Sequence, residues 1–194
     1  MKKTLFAVAL PWFSTLCLLA YGAPDPDTRH DTVLRAEYRP GDTCDDCFGW
    51  RVRILESGAV KHEVKKAPGW DAPDEWLERS VPELTQRQMR RLLATIEEVR
   101  FGELEQEYSA TYMIDQNTQA WRVVTCQDTV MIEARVGNGL KRVKVYGPEE
   151  VAGIGRSDHI HPARESGRRF CRVWGEVLNL VRSPNDWQRA GSYR

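Results

Sequence analysis

Apolar and polar residues alternate with a period of two over Trp50-Arg51-Val52-Arg53-Ile54. Trp50, Val52 and Ile54 therefore share one face and the arginines the other, the pattern of a half-buried strand. Val33–Tyr38 gives a strand before it, with Leu34, Ala36 and Tyr38 on one side. After a turn at Glu56-Ser57-Gly58-Ala59, Val60, His62 and Val64 form a third strand. The period then changes. Met89, Leu92, Leu93, Ile96 and Val99 make a helical stripe. Thr85 and Gln88 are spaced as a capping box, Leu84 and Met89 as a hydrophobic staple, and Gly102 is placed as the C-terminal cap.

The second half repeats the order. Trp121–Thr125, Val130–Val136 and Leu140–Tyr146 read as strands, with a hairpin turn at Gly137-Asn138-Gly139. A helix from about Ser166 to Arg182 follows, its core side formed by Phe170, Val173, Trp174, Val177, Leu178 and Val181, and Pro184 stops it. The pattern predicts an α+β fold: an antiparallel sheet of about six strands in βββα–βββα order, with two helices covering one face.

The amino-terminal segment has a different character. Lys2 and Lys3 precede an uncharged run from Thr4 to Ala20, followed by the small residues Ala20, Gly22 and Ala23. This is the layout of a secretory signal peptide, with cleavage after Gly22. The expected organisation is a signal peptide over 1–22, a flexible leader over 23–32, one α+β domain over 33–183 and a tail over 184–194. A periplasmic or secreted location is expected, with no membrane span after cleavage. The apolar run is shorter than the roughly 20 residues that cross a bilayer.

The full chain of 194 residues carries 28 basic and 28 acidic residues. Removing Lys2 and Lys3 leaves 26 against 28, a net charge of −2. That balance excludes a nucleic-acid binder, which needs a basic face. Four cysteines lie beyond the leader: Cys44, Cys47, Cys126 and Cys171. In an oxidising compartment an even count points to disulfides, and four cysteines allow three pairings. The favoured one joins Cys44 to Cys47 and Cys126 to Cys171, with the crossed pairings as alternatives. Cys44-Asp45-Asp46-Cys47 is a poor redox centre, because its two carboxylates disfavour a thiolate.

Asp158-His159-Ile160-His161 is the histidine cluster of the chain. Alternate residues of an extended segment point the same way, so His159 and His161, with Asp158, form a candidate metal set. The alternative is a solvated loop. No nucleophile elbow, zinc-protease helix or phosphate loop occurs in the sequence. No catalytic residue and no cofactor is assigned. The long segment from Lys65 to Pro82 carries Trp70 and Trp76 among prolines, and these are the candidate binding residues for a protein partner or small ligand. Their competing role is to plug the open sheet.

Cys44-x-x-Cys47-Phe48-Gly49-Trp50-Arg51-Val52-Arg53-Ile54, then Gly58-Ala59-Val60, resembles a family of uncharacterised bacterial secreted domains. The family's mark is a Cys-x-Gly-x-Cys-Pro-x-Tyr motif opening a strand, followed by a Gly-x-Val turn. Phe101-x-x-Leu104-x-x-x-Tyr108 is similar too. Here the cysteines are one residue closer, Phe48 replaces proline and Trp50 replaces tyrosine. The resemblance spans roughly Val33 to Arg182 and implies an exported α+β domain without an assigned activity. The expected function is a non-catalytic binding or interaction module; the alternative is a metal-dependent or hydrolytic enzyme using the 147–165 loop.

Overall fold

The computed structural model describes residues 31–42, 46–69, 71, 73–115, 120–122, 124–154 and 161–181. Its framework is one sheet built from both halves of the chain. The strands are β1 (Thr32–Arg39), β2 (Trp50–Leu55), β3 (Val60–Lys65), β4 (Trp76–Arg79), β5 (Glu107–Ser109), β8 (Thr129–Val136) and β9 (Gly139–Tyr146). They lie in the order β4-β3-β2-β1-β8-β9-β5. Every neighbouring pair is antiparallel except β5 with β9. β6 (Tyr112–Asp115) and β7 (Ala120–Arg122) form a separate antiparallel ribbon. The helices are α1 (Gln86–Glu98), α2 (Pro148–Ala152) and α3 (Arg164–Val181). The α+β class and the largely antiparallel sheet are as the sequence predicts; the strand count, the strand order and the third helix are not.

Alternation along β1, β2, β8 and β9 builds the core. Leu34 pairs with Ile54 and Ala134, and Ala36 pairs with Val52 and Ile132. Ile132 and Val130 continue to Val143 and Val145. All of these side chains are buried. Leu92 and Ile96 of α1, with Phe170, Val173 and Val177 of α3, belong to the same core. The opposite face carries the charges that alternate with them, as an antiparallel sheet open to water on one side should. There Arg35 and Arg142 both meet Glu133, at 3.5 and 3.2 Å.

The capping box of α1 forms as read: the Thr85 side chain accepts from the Gln88 amide, and Gln88 returns to the Thr85 amide. The other end differs from expectation. The helix stops before Gly102, with Arg100 in the left-handed region at φ 50°. The last carbonyls of a helix lack internal donors. Arg169 of α3 supplies them: its Nε donates to the Val99 carbonyl at 2.5 Å and its Nη2 to the Arg100 carbonyl at 2.7 Å. A guanidinium there also meets the negative end of the helix dipole. Leu93, expected in the core stripe, is 41% exposed.

Two further corrections concern β7 and the 65–82 segment. The strand expected at Trp121–Thr125 is the short β7, paired with β6 outside the main sheet. The segment read as irregular contains β4, which extends the sheet beyond β3. Four residues between prolines are too few to show an alternation, so pattern alone misses such a strand. α3 seats closely on α2 because Gly167 has no side chain; a Cβ there would lie 2.7 Å from the Val151 backbone.

Candidate functional site

The helical layer does not reach the β4 edge. One transverse row of the sheet runs Val145, Val130, Tyr38, Trp50, Val64, Leu77 from β9 to β4. Val145 and Val130 are buried, Tyr38, Trp50 and Val64 are half-buried, and Leu77 is 47% exposed. Cover therefore thins steadily along a single row. At its margin Trp174 of α3 lies parallel to Trp50, ring centroids 5.1 Å apart, and beside Tyr38 at 6.3 Å. Tyr38 and Trp50 stack at 5.9 Å, and His62 meets the Trp50 ring edge-on at 5.7 Å. Three half-buried stacked rings, continued by an exposed leucine, make an apolar shelf. Phe48, two residues before Trp50, is 44% exposed.

The opposite face of the same margin is polar. Trp76 of β4 is half-buried, and the Arg51 guanidinium lies 4.3 Å from its ring centroid. Glu63 holds Arg51 through two hydrogen bonds, of 2.6 and 3.0 Å. That contact raises the pKa of Arg51 and lowers that of Glu63. Lys65, 8% exposed, also approaches the Trp76 ring at 5.7 Å and pairs with Asp74 at 3.0 Å. Lys65 holds the Asp74 carboxyl below its ordinary range. One face of Trp76 is thus engaged within the protein by a cation–π contact. The other candidate, Trp70, lies outside the described residues.

The metal expectation fares differently. Asp158 and His159 lie outside the described residues. His161 is 5% exposed, and both of its ring nitrogens meet backbone groups. Its Nδ1 accepts from the Ala163 amide at 2.9 Å, which leaves Nε2 as the protonated nitrogen donating to the Ser109 carbonyl at 2.8 Å. Tyr112 meets the ring edge-on at 4.4 Å. With both nitrogens committed, His161 has no lone pair for a metal, and it acts as a strut between the α3 approach and β5. Among the described residues no group of three or more potential ligands converges.

The cysteines divide. Cys47 is disulfide-bonded, while its expected partner Cys44 lies outside the described residues. Cys126 and Cys171 are not disulfide-bonded to each other in this structure. Cys171 Sγ donates instead to the Pro148 carbonyl at 3.4 Å. Burial, with a smaller effect from Glu149, pushes its thiol up to about 12. It is therefore protonated and unreactive at neutral pH. Cys126 sits in a left-handed turn at φ 63°, packed against the backbone of Gly41, where a Cβ would come within 2.3 Å of the Cys126 carbonyl oxygen.

Two surface hollows, of about 220 and 280 Å³, lie elsewhere. One sits beside the α1 N-terminus between Glu56 and Arg90, and the other at the α1–α3 junction around Arg169. The first is lined by Leu84, Met89 and the turn at Glu56–Gly58, and the second by Arg169 and its neighbours at the end of α1. No protein-family model matches the chain, and no curated protein matches its sequence. The shelf escaped the sequence reading because Tyr38, Trp50 and Trp174 sit at positions that alternation assigns to the core. Their signal was composition: Tyr38 and Trp50 are large aromatics on β1 and β2, whose buried hydrophobic positions are otherwise aliphatic.

Proposed function

We propose that this protein is an exported, non-catalytic interaction module that holds a partner at the β3–β4 margin. The observation that carries the reading is the graded row ending in the Tyr38–Trp50–Trp174 stack and exposed Leu77. Rigid aromatic surface lost from water on binding contributes much for little side-chain entropy. Trp76, steadied by Arg51, borders the same margin on its polar side, and Trp70 stands a few residues before it in the sequence. The signal-like first 22 residues support export, and the oxidised Cys47 is consistent with a short Cys44–Cys47 bridge opening β2. The resemblance to uncharacterised secreted domains fits this reading and adds no activity to it. The metal-dependent alternative loses support from His161, whose two nitrogens serve the backbone.

A photo-crosslinking amino acid at position 77, in the full chain expressed in its host, tests the reading. An adduct containing a second, different polypeptide supports it. Adducts containing only this chain, or none, contradict it.

A further inference from the structure

The outer rim of β4 offers a second kind of surface. The Lys66 amide bonds the Glu75 carbonyl, and Val64 pairs with Leu77. In an antiparallel ladder the hydrogen-bonded positions alternate. Leu77 and Arg79 therefore turn their backbone groups toward β3, while Trp76 and Glu78 turn theirs outward. The Lys65 amide, which bonds Gly49 on the β2 side, fixes the same phase independently. Among the described residues nothing bonds the outward groups of Trp76 and Glu78, and β4 ends the sheet. An exposed rim with an exposed leucine is a template for another strand.

The sequence of the rim selects its partner. Glu75-Trp76-Leu77-Glu78-Arg79 is self-complementary when run against itself. With Leu77 opposite Leu77, Glu75 faces Arg79 at both ends and Trp76 faces Glu78 at both inner positions. Arg79 and Glu78 make no ion pair among the described residues, and Glu75 shares only the exposed Lys66 ammonium at 3.0 Å. The outward phase permits only shifts of two residues. One such shift sets Glu78 against Glu78, and the other sets Glu78 against Asp74; facing like charges are destabilising in both. We infer that a second copy of this chain pairs antiparallel along β4, centred on Leu77, extending the sheet through both molecules. The pairing sets the two apolar shelves side by side on one face. It goes beyond the proposed interaction with a different partner, since it uses the backbone rim of β4 rather than the aromatic rings of the shelf.

The geometry makes the test specific. Leu77 would face its own copy at a non-hydrogen-bonded position, where Cα atoms lie about 4.5 Å apart, inside the range a disulfide spans. Leu77→Cys in a Cys126→Ser background, oxidised mildly, is expected to give a symmetric 77–77 crosslinked dimer at several-fold higher yield than Leu93→Cys, which is similarly exposed on α1. Sedimentation of the otherwise unchanged chain should show concentration-dependent dimers. Glu75→Arg or Arg79→Glu alone should abolish them, and the two together should restore them. Equal crosslinking at positions 77 and 93, or failure of the double charge reversal to restore association, would overturn the inference. A non-self adduct at position 77 with no dimer would overturn it while sparing the proposed function.

Discussion

The middle of the sheet and its β4 margin are made from the same row of residues and behave differently. Under α1 and α3 the row is aliphatic and closed: Val130 and Val145 are sealed from water, as are Ile132 and Val143 in the row beside it. On the next two strands, β1 and β2, it turns aromatic, and it opens at Leu77 of β4, with a network of Arg51, Glu63, Lys65 and Asp74 on the reverse side. The difference separates the surface that holds this fold together from the surface left over by folding. The middle draws on hydrophobic burial, which is proportional to area and indifferent to partners. The margin is held by ring stacking, cation–π contact and partly exposed ion pairs, each small when wet. Surface of that kind contributes little to folding and is free to contribute to binding.

The largest effect that can break this contrast is a core truncation. Ile132→Ala should cost roughly 2–5 kcal/mol, the range for a closed aliphatic site, whereas Leu77→Ala should stay within about 0.5 kcal/mol, as surface changes do. Urea unfolding of both measures it, and similar losses would erase the distinction. A middle-sized effect belongs to His161. His161→Ala removes both partners of the Ala163 amide and the Ser109 carbonyl, and leaving buried groups unsatisfied costs about 1–3 kcal/mol. Because the ring has no free nitrogen, zinc or a chelator should leave the melting temperature of the unaltered protein unchanged; a metal-dependent shift lost in the variant would return His161 to the ligands.

The smallest effects are in pH dependence, and they have opposite signs in the two regions. Glu63 at the margin has a lowered pKa, chiefly through its hydrogen bond from Arg51. Its stabilisation is present above the ordinary carboxylate range and is lost as pH falls through its folded value. Glu149 on α2 has a raised pKa, from burial first and Asp128 second. Its contribution is present below the ordinary range and is lost as pH rises through its folded value. Glu63→Gln should therefore destabilise at pH 7 by less than about 1 kcal/mol, and Glu149→Gln should stabilise slightly there. Unfolding curves from pH 3 to 8 read both, and matching signs would show that one assignment is wrong.

How far the sequence reveals this molecule follows the same divide. β1, β2, β3, β8 and β9 were legible because a face in contact with helices imposes strict alternation, and α1 declared its start through Thr85 and Gln88. Leu93 misled because a residue at the flank of a helical stripe is buried only if a neighbour reaches it, and none does. β4 and β5 were invisible because strands of four and three residues carry too few positions to show a period. Their presence is decided by the neighbours they pair with. The end of α1 could not be read locally either, since its cap is Arg169, about 70 residues on. Cys126 and Cys171 looked like a pair by count, but whether two sulfurs meet depends on where the turn at Cys126 and the face of α3 point. Trp76 reads as a loop residue in the sequence and lies in β4, while the aromatic shelf occupies strand and helix positions that alternation alone assigns to the core.

The central claim is that the uncovered margin, rather than exposed apolar surface in general, receives the partner. The most direct measurement compares photo-crosslinking from position 77 with that from position 93 in the full chain expressed in its host. Leu77 and Leu93 are nearly equally exposed, at 47% and 41%, but only Leu77 lies on the row that ends in the shelf. The account predicts a discrete adduct with a different polypeptide from position 77 and none from position 93. The same adduct in equal yield from both positions, or an adduct from position 93 alone, would contradict it.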